Sequence, residues 1–101
     1  MTILDLRQEI GPGPDKQIEP LFDGPRRKVV QITLRNDSTL QAHKVDVPIV
    51  VLCIAGRGTF MAGSVVEMAP GVLVTLEAGE VHELVAKPEI RILLTRFVGD
   101  A

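Results

Sequence analysis

The chain contains no tryptophan, no tyrosine and only three phenylalanines among its 101 residues. It therefore lacks the aromatic platforms on which single-stranded nucleic acids stack their bases. A cationic footprint is missing too: eleven Lys and Arg stand against thirteen Asp and Glu, the net charge is -2, and the only basic run is residues 26–28. Both absences argue against nucleic acid as a partner. With a single cysteine, Cys53, there can be no intramolecular disulfide and no zinc motif built on paired cysteines, which points to a reducing compartment. Long apolar runs are also lacking. The longest, residues 49–55, falls far short of the ~20 residues a spanning helix needs, and residues 1–13 alternate in charge without an apolar core of signal-peptide length. The expectation is a cytoplasmic protein with no membrane partner. No Gly-rich phosphate loop, no Gly-x-Ser-x-Gly elbow and no paired carboxylates on an identifiable cleft occur, and nothing in the spacing joins Cys53 to a histidine as a nucleophile pair.

What is present is an ordinary globular composition, 46% hydrophobic and 24% charged, enough for one domain with one core. Residues 11–25 hold four of the seven prolines and three of the nine glycines, and read as an irregular entry arm with no regular element. Residues 2–10, too short to stand alone as a helix, either pack on the domain or add as an edge strand, to a neighbouring subunit for example. This divides the chain into an arm, 1–26, and a folded unit, 27–101. The text changes at Arg27: "KVVQITLR" alternates, with Val30, Ile32 and Leu34 on one face and Gln31, Thr33 and Arg35 on the other, the period of a half-buried strand. "NDS" is a turn. "LQAHKV" is a second strand, and "PIVVLCIA" a third, apolar on both faces and so expected to be covered on both sides. "GRG" then reads as a turn, followed by "TFMA", a turn at Gly63 and Ser64, "SVVEMA", "VLVTLE", a turn at Ala78 and Gly79, "VHELVA", a break at Lys87 and Pro88, and "IRILLTRF". Short strands at this spacing, punctuated by Gly and Pro, predict an all-β jelly-roll barrel.

Only two histidines occur, His43 and His82, each on a predicted strand beside a turn. "GVLVTLEAGEVH" resembles the second cupin motif: a glycine, five residues, a proline, one residue, a glycine, two residues and a histidine. Gly71, Gly79 and His82 match in register. "HKVDVPIVVLCIAG" is similar to the first motif, in which a histidine is followed by another two positions on, a glutamate four positions later and a glycine seven further. His43 and Gly56 match. The resemblance extends over roughly residues 27–97, and "HK…PI" looks like a subgroup of small single-domain cupins whose first motif is degenerate, the second histidine being absent. It implies a cupin-type double-stranded β-helix with an irregular N-terminal arm.

The departures limit what the resemblance carries over. Cupins hold a divalent metal with two or three histidines and a glutamate, but here the second histidine position is Val45 and the glutamate position is Ile49; Glu77 replaces the motif proline and Ala86 the closing asparagine. His43 and His82 alone make an incomplete metal site, one that would hold Zn, Ni, Fe, Mn or Cu weakly. Cys53 shares parity with Ile49 but lies about 13 Å further along a strand at ~3.3 Å per residue, too far for the same ion. Glu80, two residues before His82, is the best remaining donor, while Glu83 and Lys44 point away from the histidines beside them. Two functions follow. The first is a small cupin barrel binding a small organic ligand in a pocket of His43, Val45, Ile49, Met61 and His82. The alternative is a metal-dependent cupin oxygenase or isomerase using His43 and His82. A purely structural role ranks last. Since similar small cupins dimerise, and the two-faced strand and loose arm need covering, a homodimer is expected.

Overall fold

The computed structural model describes residues 1–98; residues 99–101, the end of the span expected to form the barrel, lie outside them. Seven strands and no helix occur among the described residues: β1 Lys16–Asp23, β2 Arg27–Leu34, β3 Thr39–His43, β4 Ile49–Ala62, β5 Ser64–Met68, β6 Leu73–Leu76 and β7 His82–Phe97. No helix is long and apolar enough to cross a membrane.

Two long strands organise the molecule. The C-terminal half of β7 pairs antiparallel with β2 and with the first half of β4, and β1 and β6 extend this layer at its edges. The N-terminal half of β7 pairs with β3 and with the second half of β4, which carries β5. Both long strands therefore pass from one layer into the other, and they do so together. The β4–β7 register shifts at Cys53/Ala55 and again at Gly56/Gly58, so that Arg57 alone stands opposite residues 87–89, with the Lys87–Pro88 peptide cis.

This arrangement corrects two sequence expectations. "GRG" is not a turn but a bulged corner inside β4, and Lys87 and Pro88 do not end a strand but lie at the matching corner of β7. Bulges let a strand bend and twist without giving up its ladder on either side. The inner faces of the layers share one core, in which Ile32, Leu34, Ile49, Val51 and Ile92 meet Phe60, Met68 and Leu84. Burying a side chain of this size contributes about 1.5–3 kcal/mol, and these contacts hold the layers face to face. Cys53 belongs to the same core at 1% exposure. On the opposite face of β4, Val50, Leu52 and Ile54 are only half-buried, so the strand expected to be covered on both sides is fully covered on one.

The entry arm is more ordered than its prolines indicate. Lys16–Asp23 forms β1, an edge strand whose register shifts between Pro20 and Phe22; a proline is tolerated where one side of a strand has no partner to serve. Residues 1–15 hold no regular element but lie against the outer face of the first layer. The guanidinium of Arg91 donates to the carbonyls of Arg7 and Glu9 at 3.0 and 2.9 Å and to the Thr33 hydroxyl at 3.0 Å. That of Arg35 donates to the carbonyls of Gly11 and Pro14, both at 2.8 Å. Gln31, Thr33 and Arg35, expected to face solvent, are consequently buried.

Candidate functional site

His43 ends β3 and His82 begins β7, and the two are direct partners across the ladder. Their ring centroids are 4.3 Å apart with planes tilted by 59°. Behind them the Phe60 ring stacks on His82 at 5.8 Å. His82 is 3% exposed, whereas His43 faces solvent. In both residues Nδ1 lies against the carbonyl two positions earlier: Gln41 at 2.9 Å for His43, Glu80 at 3.1 Å for His82.

A carbonyl oxygen only accepts, so each Nδ1 carries the proton, and in the neutral ring each Nε2 presents a lone pair. For His82 this Nε2 is buried and has no partner among the described residues. Burial pushes the pKa of His82 down; the hydrogen bond to the Glu80 carbonyl opposes this, the neighbouring His43 reinforces it, and the Glu80 carboxylate opposes it. The ring is thus kept as an acceptor, in a place where an unsatisfied acceptor costs about 1–3 kcal/mol.

Two short links frame the pair. Residues 44–48 lead from His43 in the second layer to Ile49 in the first, and residues 77–81 return from Leu76 in the first to His82 in the second. The amide of Gly79 donates to the Val45 carbonyl at 2.8 Å and ties the links together. The histidines therefore stand at the end of the barrel where the two links cross between the layers, away from the corners at Gly56 and Pro88.

Of the other residues expected in the pocket, Val45 lies on one of these links, partly buried against the core. Ile49 is 1% exposed and committed to the core. Met61 pairs with Glu83 while its neighbour Phe60 pairs with Leu84, so Met61 faces the side of the sheet opposite to His82. Its assignment to the pocket is corrected on that ground: the parity of β4 past its bulged corner turns Phe60 inward. Cys53 is sealed in the core, where burial raises its thiol pKa against the hydrogen bond to the Ala55 carbonyl and the charge of Arg57.

One residue was missed. Arg96 pairs with the buried Ile49, and so shares the inner face with Ile90, Ile92 and Leu94. Its Nε is buried without a partner among the described residues. The signal was available: the alternation of "IRILLTRF" carries the inward-facing series one step past Leu94, to an arginine.

These donors do not fit the divalent metal that the fold family is associated with. Two imidazoles lie side by side, but the two remaining positions of the motif are valine and isoleucine, and the isoleucine fills the core. The Glu80 carboxylate is engaged in its own turn, accepting from the Glu77 amide at 2.7 Å. Among the described residues no group of three or more His, Cys, Asp or Glu is placed to hold a metal ion.

Neither a family model nor a curated protein matches the sequence. Solved structures do match the fold. A cupin superfamily protein from Desulfitobacterium hafniense superposes with a TM-score of 0.81 at 10% identity, over 90% of this chain and 84% of its own. An RmlC-like cupin from Desulfovibrio desulfuricans gives 0.78 at 15% identity, over 93% and 96%. KdgF from Halomonas sp. gives 0.75 at 17% identity, over 90% and 86%. Identities this low speak for the path of the backbone alone, and that path, with its two long strands passing between the layers, is the cupin fold.

Proposed function

We propose that the protein binds a small organic molecule at the open end of the barrel, with His43 and His82 as its polar anchors. The observation that carries this reading is the His82 Nε2, a buried lone pair with its tautomer fixed and no partner among the described residues. Buried acceptors are satisfied with few exceptions, and a hydroxyl or N–H of a bound molecule is the group that fits here. The test is to follow the imidazole nitrogens of 15N-labelled protein while adding a library of small hydroxylated and amino compounds. Binding moves the His82 Nε2 resonance, and His82→Phe removes the response. A library that leaves that nitrogen unmoved, or a His82→Phe variant that binds as the wild type does, would sink the reading.

A metal-dependent enzyme is the second reading, favoured by the same feature: each Nδ1 is fixed by a carbonyl, as in many metal-ligating histidines. It stands second because the third donor is lacking. Untagged protein that takes up one equivalent of Zn or Ni and keeps it through gel filtration would reverse the order. We also infer a homodimer, supported by the half-buried outer face of Val50, Leu52 and Ile54 and the exposed Leu73 beside it. A light-scattering mass of one chain would overturn that inference.

A further inference from the structure

We infer that the molecule received at this site is a small organic monocarboxylic acid, and that Arg96 is the residue that selects it. The inference rests on the two-histidine reading above and adds a second pole to it.

Three observations place Arg96 at the same end of the barrel as His82, on the facing layer. Both point to the inner face, Arg96 on the first layer through its pairing with Ile49, His82 on the second through its pairing with His43. Both lie at the open end, because the link of residues 44–48 begins at His43 and ends at Ile49, the ladder partner of Arg96. The same link is fastened beside Arg96, where the Phe97 amide donates to the Pro48 carbonyl at 3.1 Å, and beside the histidines through Val45 and Gly79. The guanidinium is also unspent. Arg91 and Arg35 use theirs to hold the arm, and Lys28, the ladder neighbour of Arg96 on β2, lies 3.6 Å from the Asp23 carboxylate. Arg96 has no hydrogen-bonding or ionic partner among the described residues, and its Nε is shut off from water.

A buried, unpaired guanidinium N–H is as costly as an unpaired imidazole lone pair, and of opposite sense: it needs an acceptor, best an anionic oxygen. A planar guanidinium matches the two oxygens of a carboxylate in a way that a neutral carbonyl cannot. Across the opening, the His82 lone pair requires a donor. One molecule bearing a carboxylate and a hydroxyl satisfies both, with its apolar body against the Phe60 wall. The two links carry Asp46, Glu77 and Glu80 against Lys44 alone; this net negative charge disfavours a dianion or a phosphate ester and leaves a single carboxylate as the favoured charge.

The test uses wild-type protein and four probes, glycolate, lactate, mandelate and hydroxybenzoate, each against its primary amide, with affinities from NMR titration. At least one acid is expected to bind about tenfold or more tighter than its amide, moving both the Arg96 Nε–Hε and the His82 Nε2 resonances. Arg96→Gln abolishes the preference for acid over amide, and Arg96→Lys keeps part of it. If His82 Nε2 moves equally with acid and amide while Arg96 stays silent, the acid inference is overturned and the two-histidine reading stands. If neither resonance moves with any probe, the acid inference is overturned, and the two-histidine reading is decided by the wider library of hydroxylated and amino compounds. The Arg96 resonance in the wild type decides the matter even where a variant fails to fold.

Discussion

Gly56 offers the sharpest test of how the barrel corner is built, because the structure supplies its own control. Gly56 and Gly63 have nearly the same backbone, with φ of 77° and 73°. Alanine at either position carries the left-handed cost of about 1–2 kcal/mol. Around Gly63 a methyl group meets nothing within 4 Å, so that cost is the whole effect. At Gly56 the methyl would run into the carbonyl oxygen of Glu89 and come within 2.9 Å of both the Glu89 carbonyl carbon and the Ile90 Cα. These are backbone atoms of β7 at its corner, and no rotamer change moves them. Overpacking of this kind adds about 1–3 kcal/mol. Guanidinium denaturation should therefore rank wild type above Gly63→Ala above Gly56→Ala, with a gap of about 1–3 kcal/mol between the two variants. The consequence also reaches the site, since the corner sets the angle between the layer carrying His82 and the layer carrying Arg96. An equal loss in the two variants would show that the close approach of β4 to β7 is not what the glycine serves.

Other measurements bear on other parts of the molecule. Because the folded-state pKa of His82 lies below the usual 6.5, the unfolded chain binds the extra proton first, and stability, complete above that pH, should decline as pH falls below it toward the depressed folded value; His82→Gln should flatten that slope in urea melts run from pH 8 to 5. Ile49→Glu alone should cost several kcal/mol by placing a carboxylate in the core, whereas Val45→His with Ile49→Glu should regain stability on adding Zn, seen as a metal-dependent rise in melting temperature that the wild type lacks. Arg91→Met removes the donors to the carbonyls of Arg7 and Glu9 and should speed tryptic cleavage after Arg7 while the barrel stays resistant; an unchanged cleavage rate would show that the arm is held by other contacts. Cys53 should stay inert to a thiol reagent until the protein unfolds, given its burial and raised pKa.

What the sequence made legible follows from what a sequence can record. Alternation identified β2 because a half-buried strand must alternate, and Ile32 and Leu34 are indeed in the core. The same alternation sent Gln31, Thr33 and Arg35 to solvent, and there it failed. The arm that covers them is held by arginines reaching its backbone carbonyls, which any residues would offer, so no pattern in residues 1–15 announces the contact. Glycines and prolines were read as ends of strands. In this fold Gly56 and Pro88 occur inside strands, at corners where the chain must bend and two backbones must approach, and local sequence does not separate that demand from the demand of a turn.

The candidate site divides along a similar line. The matches to the two motifs at Gly56, Gly71 and Gly79 concern the backbone, and they brought the fold with them. The mismatches at Val45 and Ile49 concern side chains, and a backbone path that delivers those positions to the open end does not require that they be ligands. At that end one layer carries the buried His82 lone pair and the other carries Arg96 with its buried Nε. Sequence matching by motif stops at residue 86 and has no reason to weigh Arg96. Strand parity does: Ile90, Ile92 and Leu94 are buried on the inner face, and the next residue in that series is charged. An apolar alternation that ends in a half-buried arginine leaves one guanidinium N–H out of water without an acceptor, and an anionic oxygen brought by a ligand is the group whose chemistry can supply it.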